Sequence, residues 1–89
     1  MDIKLALITG ASGGIGEAFG HVLAAEGYDL VLVARRDQEL HRVKGVITSK
    51  VPVAVHVIAL DLNESGAVES LMAELAGRNL VPAVVVNNA

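Results

Sequence analysis

The residues best suited to chemistry in this chain fall in one stretch, Thr9-Gly10-Ala11-Ser12-Gly13-Gly14-Ile15-Gly16. Glycines let a backbone turn tightly, and a helix that starts at such a turn points its unpaired N–H groups at an anion. The stretch has the flanks that phosphate binding requires. The apolar run Ile3-Lys4-Leu5-Ala6-Leu7-Ile8 precedes it, and Glu17 to Glu26 follows with helical spacing of apolar residues. Gly10 and Gly14 are expected to permit the bend and a close approach of backbone to ligand, with Gly13 beside them among the expected cofactor-binding residues, and Gly16 to let the helix pack against the strand. Ser12 offers a hydroxyl to a phosphate, and the Ile15 N–H falls at the helix start. The alternative is a structural turn without a ligand, although a bend alone needs fewer glycines.

Elsewhere the reactive side chains form no catalytic set. Thr9 and Ser12 have no His or Asp beside them to act as a base, so neither reads as a nucleophile. His21, His41 and His56 share no metal-ligand spacing and have no cysteine partners, so no metal site is expected. No residue of the chain is assigned a catalytic role.

The elements that must position the turn alternate regularly. Ile3 to Thr9 reads as a strand, followed by a helix to about Glu26 on which Ile15, Phe19, Val22 and Leu23 recur at helical spacing. Gly27 stands where a C-cap glycine is expected. Tyr28 to Ala34 is the second strand, and Asp37 reads as the N-cap of a helix with Leu40, Val43 and Ile47 on one face. Gly45 and the β-branched Val46-Ile47-Thr48 make this the weakest helix of the set. Pro52 marks a boundary, Val53 to Leu60 forms the third strand, and Asn63 reads as the N-cap of a helix with a Val68, Leu71, Met72 and Leu75 stripe. Gly77 closes that helix, and Ala83 to Val86 is the fourth strand before Asn87-Asn88-Ala89.

The pattern is βαβαβαβ, so the fold class is α/β: a Rossmann-type doubly wound parallel sheet over a single, partial domain, residues 1–89. Right-handed crossovers predict the strand order 3-2-1-4, with the first two helices on one face of the sheet and the third on the other. The connection back across strand one creates a switch point beside the glycine turn, where such sheets bind ligands.

Composition agrees. The chain has 89 residues, 53% of them hydrophobic, with few aromatics, so the core must be aliphatic, as in parallel strands covered on both faces. The absence of cysteine excludes disulfides and suits a reducing cytoplasm, the expected location. No apolar run approaches the roughly 20 residues of a membrane span. The start lacks the basic and apolar regions of a signal peptide. A net charge of −3 without a basic cluster argues against nucleic acid as a partner.

Four features together resemble the N-terminal, cofactor-binding half of a short-chain dehydrogenase/reductase. They are the TGxxxGxG turn (Thr9, Gly10, Gly14, Gly16), the basic end of strand two (Arg35-Arg36), the Asp61-Leu62 pair after strand three, and Asn87-Asn88-Ala89, which matches the start of the family's NNAG signature. They cover essentially the whole chain. The resemblance implies binding of a dinucleotide cofactor. A carboxylate at the end of strand two would hold the ribose 2′-OH of NAD and repel a 2′-phosphate, whereas Arg35 and Arg36 suit NADP. Asp61 resembles the residue that meets the adenine amino group, with Leu62 against the ring. Asn87 and Asn88 resemble residues that tie strand four to the sheet and line the adenosine ribose. The plainer readings are two solvated arginines, a turn cap at Asp61, and capping or chain-end polarity at the asparagines.

The resemblance also implies what to look for and not find. The family's catalytic serine, tyrosine and lysine lie beyond the NNAG stretch. The single tyrosine, Tyr28, opens strand two, and no Tyr-x-x-x-Lys occurs. The expectation is therefore the cofactor-binding portion of an NADP-dependent oxidoreductase, with NAD the poorer cofactor and the isolated chain inactive. The alternatives are a non-catalytic nucleotide-binding module or a half-Rossmann folding fragment. The uncharged, β-branched fourth strand and the bare helix faces predict a homo-oligomer.

Overall fold

A computed structural model describes residues 4–88, so Met1, Asp2, Ile3 and Ala89 lie outside the described residues. The elements run β1 (Leu5–Thr9), α1 (Gly14–Ala25), β2 (Asp29–Ala34), α2 (Asp37–Thr48), β3 (Val55–Ala59), α3 (Ala67–Gly77) and β4 (Val84–Val86). The strands form one parallel sheet in the order β3-β2-β1-β4, as expected from the crossover rule.

Parallel strands covered on both faces need near-continuous apolar runs, and β1 and β2 have them apart from Thr9 and Asp29 at their ends. Ala6, Ile8, Leu30 and Leu32 face α1 and α2, while Leu5, Leu7, Val31 and Val33 face α3. Leu40, Val43 and Ile47 of α2 are fully buried, so Gly45 does not break that helix. Packing of three large aliphatic side chains outweighs one glycine's propensity cost of about 1 kcal/mol.

On α1 the buried residues are Gly16, Gly20 and Ala24, whereas Ile15, Phe19 and Val22 are exposed. Of the apolar stripe only Leu23, half-buried, packs against the core. A Cβ built on Gly20 would come within 3.4 Å of Ile47 Cδ1, so small residues set how closely α1 approaches the sheet and α2. The α3 stripe is divided in the same way. Leu71 and Leu75 are buried together with Ala67, while Val68 and Met72 are exposed.

Helix α1 begins at Gly14, one residue before the expected start at Ile15, because the glycines that make the bend also enter the first helical turn. Two caps differ from expectation. The N-cap of α2 is Arg36; Asp37 is the first helical residue and makes no capping bond, though its charge suits the positive end of the helix dipole. The N-cap of α3 is Gly66 with φ 80°, not Asn63, because residues 61–66 form a turn of their own before the helix. The strand ends are shorter than the apolar runs. Val53 is taken up in a tight turn back to Val51, and the Ala54 N–H donates to Asp29 Oδ1 at 2.9 Å.

Candidate dinucleotide site

At the carboxyl ends of the strands, the glycine turn, the end of β2 and the segments after β3 and β4 enclose a cleft of about 560 Å³. This is the switch point, where β1 lies between β2 and β4. Of the residues expected to bind a ligand, Gly10, Ser12, Arg35, Arg36, Asp61, Leu62, Asn87 and Asn88 line it. Gly13, Gly14 and Ile15 lie outside the lining, exposed at the start of α1, and Gly16 is buried beneath the turn. Ala89 falls outside the described residues.

Gly10 and Gly14 adopt positive φ, 61° and 58°, which side-chain-bearing residues rarely do. The cap of α1 is Gly13, with no side chain bonding to the helix end. The first helical bond runs from the Glu17 N–H to the Gly13 carbonyl, so the N–H groups of Gly14, Ile15 and Gly16 have no intrahelical acceptor. Such a helix end is a ready anion site.

The end of β4 is fastened to this turn. Thr9 Oγ1 accepts the Asn88 N–H at 3.0 Å and lies 3.2 Å from Asn87 Oδ1, to which it donates. The Asn88 side-chain amide donates to the Gly10 carbonyl at 3.3 Å. The sequence marked Thr9 as a hydroxyl without a base and as the first residue of the TGxxxGxG turn; its partners lie 77 to 79 residues away and could not be read from local spacing.

Arg35 and Arg36 are exposed at the cleft, and among the described residues neither forms an ion pair. Asp61 Oδ1 accepts the Asn63 N–H at 3.0 Å, so this carboxylate does serve as a turn cap while lining the cleft. Glu39, Asn63, Leu60, Val33 and Ala34 also line the cleft and were not singled out from sequence. Glu39 had a detectable signal: one helical turn after Arg35-Arg36 it must stand near the same strand end.

Behind the turn lies a charged cluster. Glu17 Oε1 accepts a hydrogen bond from Arg42 Nη2 at 3.0 Å, and Glu17 Oε2 is 3.6 Å from His21 Nε2. The Arg42 hydrogen bond is the main cause holding the Glu17 carboxyl below its ordinary pKa; burial opposes it, and the charge of Arg42 and the contact with His21 add to it. Because the folded value is depressed, the pair stabilises the fold above the unfolded pKa of about 4.3 and is lost as pH falls through the folded value. Melting curves of the chain and of Glu17→Gln should therefore differ near pH 7 and converge as the pH falls through the lowered folded value. An unchanged difference through that value would show that Glu17 does not titrate in this pair.

No helix of the described residues is long and apolar enough to cross a membrane, and no group of three or more His, Asp or Glu among them could hold a metal.

Sheet order, glycine turn and the cleft at the switch point together define an α/β protein of the Rossmann type. The short chain dehydrogenase family model matches residues 4–89, and the chain belongs to that family. It is 40% identical over 82 residues to a sulfoacetaldehyde reductase of Chromohalobacter salexigens, covering 92% of this chain and 32% of that protein. An alcohol dehydrogenase from the archaeon Thermococcus sibiricus, complexed with 5-hydroxy-NADP, superposes with a TM-score of 0.86 at 36% identity, over 94% of this chain and 36% of that one. The L-sorbose reductase of Gluconobacter frateurii, complexed with NADPH and L-sorbose, gives a TM-score of 0.91 at 34% identity, over 99% of this chain and 34% of that one. The chain thus spans about a third of the length of these relatives, matching their N-terminal portion.

Proposed function

We propose that this chain is the cofactor-binding portion of an NADP-dependent short-chain oxidoreductase. The observation that carries the reading is the pair of arginines at the end of β2, without an ion pair among the described residues, sharing one cleft with the glycine turn. A 2′-phosphate needs unsatisfied cationic donors, and a pyrophosphate needs a helix end free of side chains. Both are present at the mouth of a cleft whose volume suits a cofactor.

The first turn of α1 and Ser12 would hold the pyrophosphate, and Arg35 with Arg36 the 2′-phosphate. Asp61 and Leu62 would take the adenine, and Asn87 and Asn88 the adenosine ribose. When bound, NADP(H) supplies a hydride donor or acceptor for a carbonyl or alcohol in the whole enzyme. The NADP and NADPH complexes among the relatives support the same assignment.

Calorimetric titration tests it. NADP is expected to bind more tightly than NAD; absence of binding by both at millimolar concentration removes the reading, and tighter NAD removes the role of the arginines.

Self-association belongs to the same proposal. β4 pairs with β1 on one side only among the described residues, and Val85 is 61% exposed. An open, uncharged edge of this kind favours pairing with a second copy. Light scattering on the eluted chain should report a dimer or larger, and a clean monomer at micromolar concentration removes this part.

A further inference from the structure

Arg42 lies within α2 yet makes its contacts on α1 and the glycine turn. Its Nη2 donates to the Ser12 carbonyl at 3.3 Å and to Glu17 Oε1 at 3.0 Å, and its Nε donates to Glu39 Oε1 at 3.1 Å. The rest of the turn is held by other means: the Gly10 carbonyl by the Asn88 amide, and the Ala11 N–H by the Val33 carbonyl. Gly13 and Gly14 have no side chain, and open space surrounds the position of a Cβ on each. Among the described residues, Arg42 is the side chain that bonds to the turn between Ala11 and Gly14.

We propose that Arg42 is a positioning residue for the anion site, anchoring the Ser12–Gly13 peptide plane and offsetting part of the charge of the two carboxylates that flank it. A peptide unit is planar and trans, so its carbonyl and N–H point in opposite directions. Holding the Ser12 carbonyl against α2 therefore fixes the direction of the Gly13 N–H at the start of α1. The electrostatic part is equally direct. Glu17 stands in the first turn of α1 and Glu39 lines the cleft, so both would oppose a phosphate there. Arg42 engages both through one planar guanidinium, a geometry that an ammonium group lacks. The raised pKa of Arg42, caused first by its hydrogen bond to Glu17 and then by that to Glu39, keeps this charge in place.

This inference rests on the proposed nucleotide function for its effect on affinity, but its effect on the turn needs no ligand. The test uses the chain, Arg42→Ala, and the charge-swapped double variant Glu17→Arg with Arg42→Glu. The readouts are melting temperature, backbone amide order parameters, and calorimetric titration with NADP. In Arg42→Ala, order parameters of Gly13, Gly14 and Ile15 should fall from about 0.85 toward about 0.6. Those of Leu23 to Ala25, at the far end of α1, should hold. NADP should bind roughly tenfold more weakly, the scale of one charge-assisted hydrogen bond.

The double variant rebuilds a Glu–Arg pair between the helices, but a glutamate at position 42 cannot donate to the Ser12 carbonyl. Its melting temperature should recover while the turn stays mobile; recovery of both overturns the proposal, because the pair is then only a staple between helices. Unchanged order parameters in Arg42→Ala overturn it as well. Should Arg42→Ala fail to fold, Arg42→Lys carries the comparison, with raised turn mobility expected and unchanged mobility overturning the idea. If the unsubstituted chain binds no NADP, the proposed function fails, and the order parameters still decide the role of Arg42.

Discussion

Gly10→Ala is expected to cost roughly 2–5 kcal/mol of stability, combining about 1–2 for a left-handed backbone with about 1–3 for overpacking. Gly10 has φ 61°, and a Cβ there would overlap the Asn88 carbonyl oxygen and approach its Nδ2 at 3.1 Å. Neither neighbour can move freely, because Asn88 is tied by its N–H to Thr9 Oγ1 and by its side chain to Gly10 itself. Gly16→Ala should act similarly without the dihedral cost, since its Cβ would overlap the Gly10 carbonyl and force α1 away from the turn. A chain of this size has only about 4–13 kcal/mol of stability, so the loss would unfold a large fraction of a marginal domain. The same chemical change at Gly45 should stabilise by about 0.5–1 kcal/mol, because that glycine sits inside α2 with open space around it. Urea unfolding of the three variants checks the series. Equal midpoints for Gly10→Ala and Gly45→Ala would show that the turn is not closely packed against the end of β4.

The second large effect concerns the cofactor. Arg35→Asp should weaken NADP by roughly 1–3 kcal/mol, the loss of a hydrogen-bonded charge pair, which is about a 5- to 150-fold change in dissociation constant. It should also raise the relative affinity for NAD, since a carboxylate at the end of β2 can accept a ribose 2′-OH and repels a 2′-phosphate. Arg35 is exposed and has no ion pair among the described residues, so the melting temperature should barely change. That separates a binding role from a structural one. Paired titrations with NADP and NAD decide it: an unchanged NADP affinity would place the 2′-phosphate away from Arg35.

These effects trace to features that were not equally legible in the chain. Strand order, the faces taken by the helices and the buried residues of α2 follow from apolar runs and the handedness of crossovers, both local or general. The position of the turn between β1 and α1 was legible because glycine spacing, preceding strand and following helix stand together in sequence. The packing face of α1 was legible only in part. Gly16 was expected to pack against the strand and is buried, but of the periodic Ile15, Phe19, Val22 and Leu23 the first three are exposed, and Gly20 and Ala24 complete the buried face. Burial energy favours large apolar residues, but a helix lying close to strands has room only for small ones, and glycine carries no hydropathy signal. The caps failed for a related reason. Asp37 and Asn63 are good capping types, but the connecting chain placed Arg36 and Gly66 at those points.

The residue order alone therefore accounts for a parallel doubly wound sheet, its strand order, and a glycine turn able to receive an anion. What required the folded chain is everything that depends on distant segments meeting. Asn88 closes over Gly10, Thr9 fastens the end of β4, and Arg42 reaches 30 residues back to Ser12. Periodicity and propensity operate over one or two turns of helix or a few strand residues. A cleft is made by side chains from several strand ends, whose juxtaposition is set by the crossovers and the depth of packing.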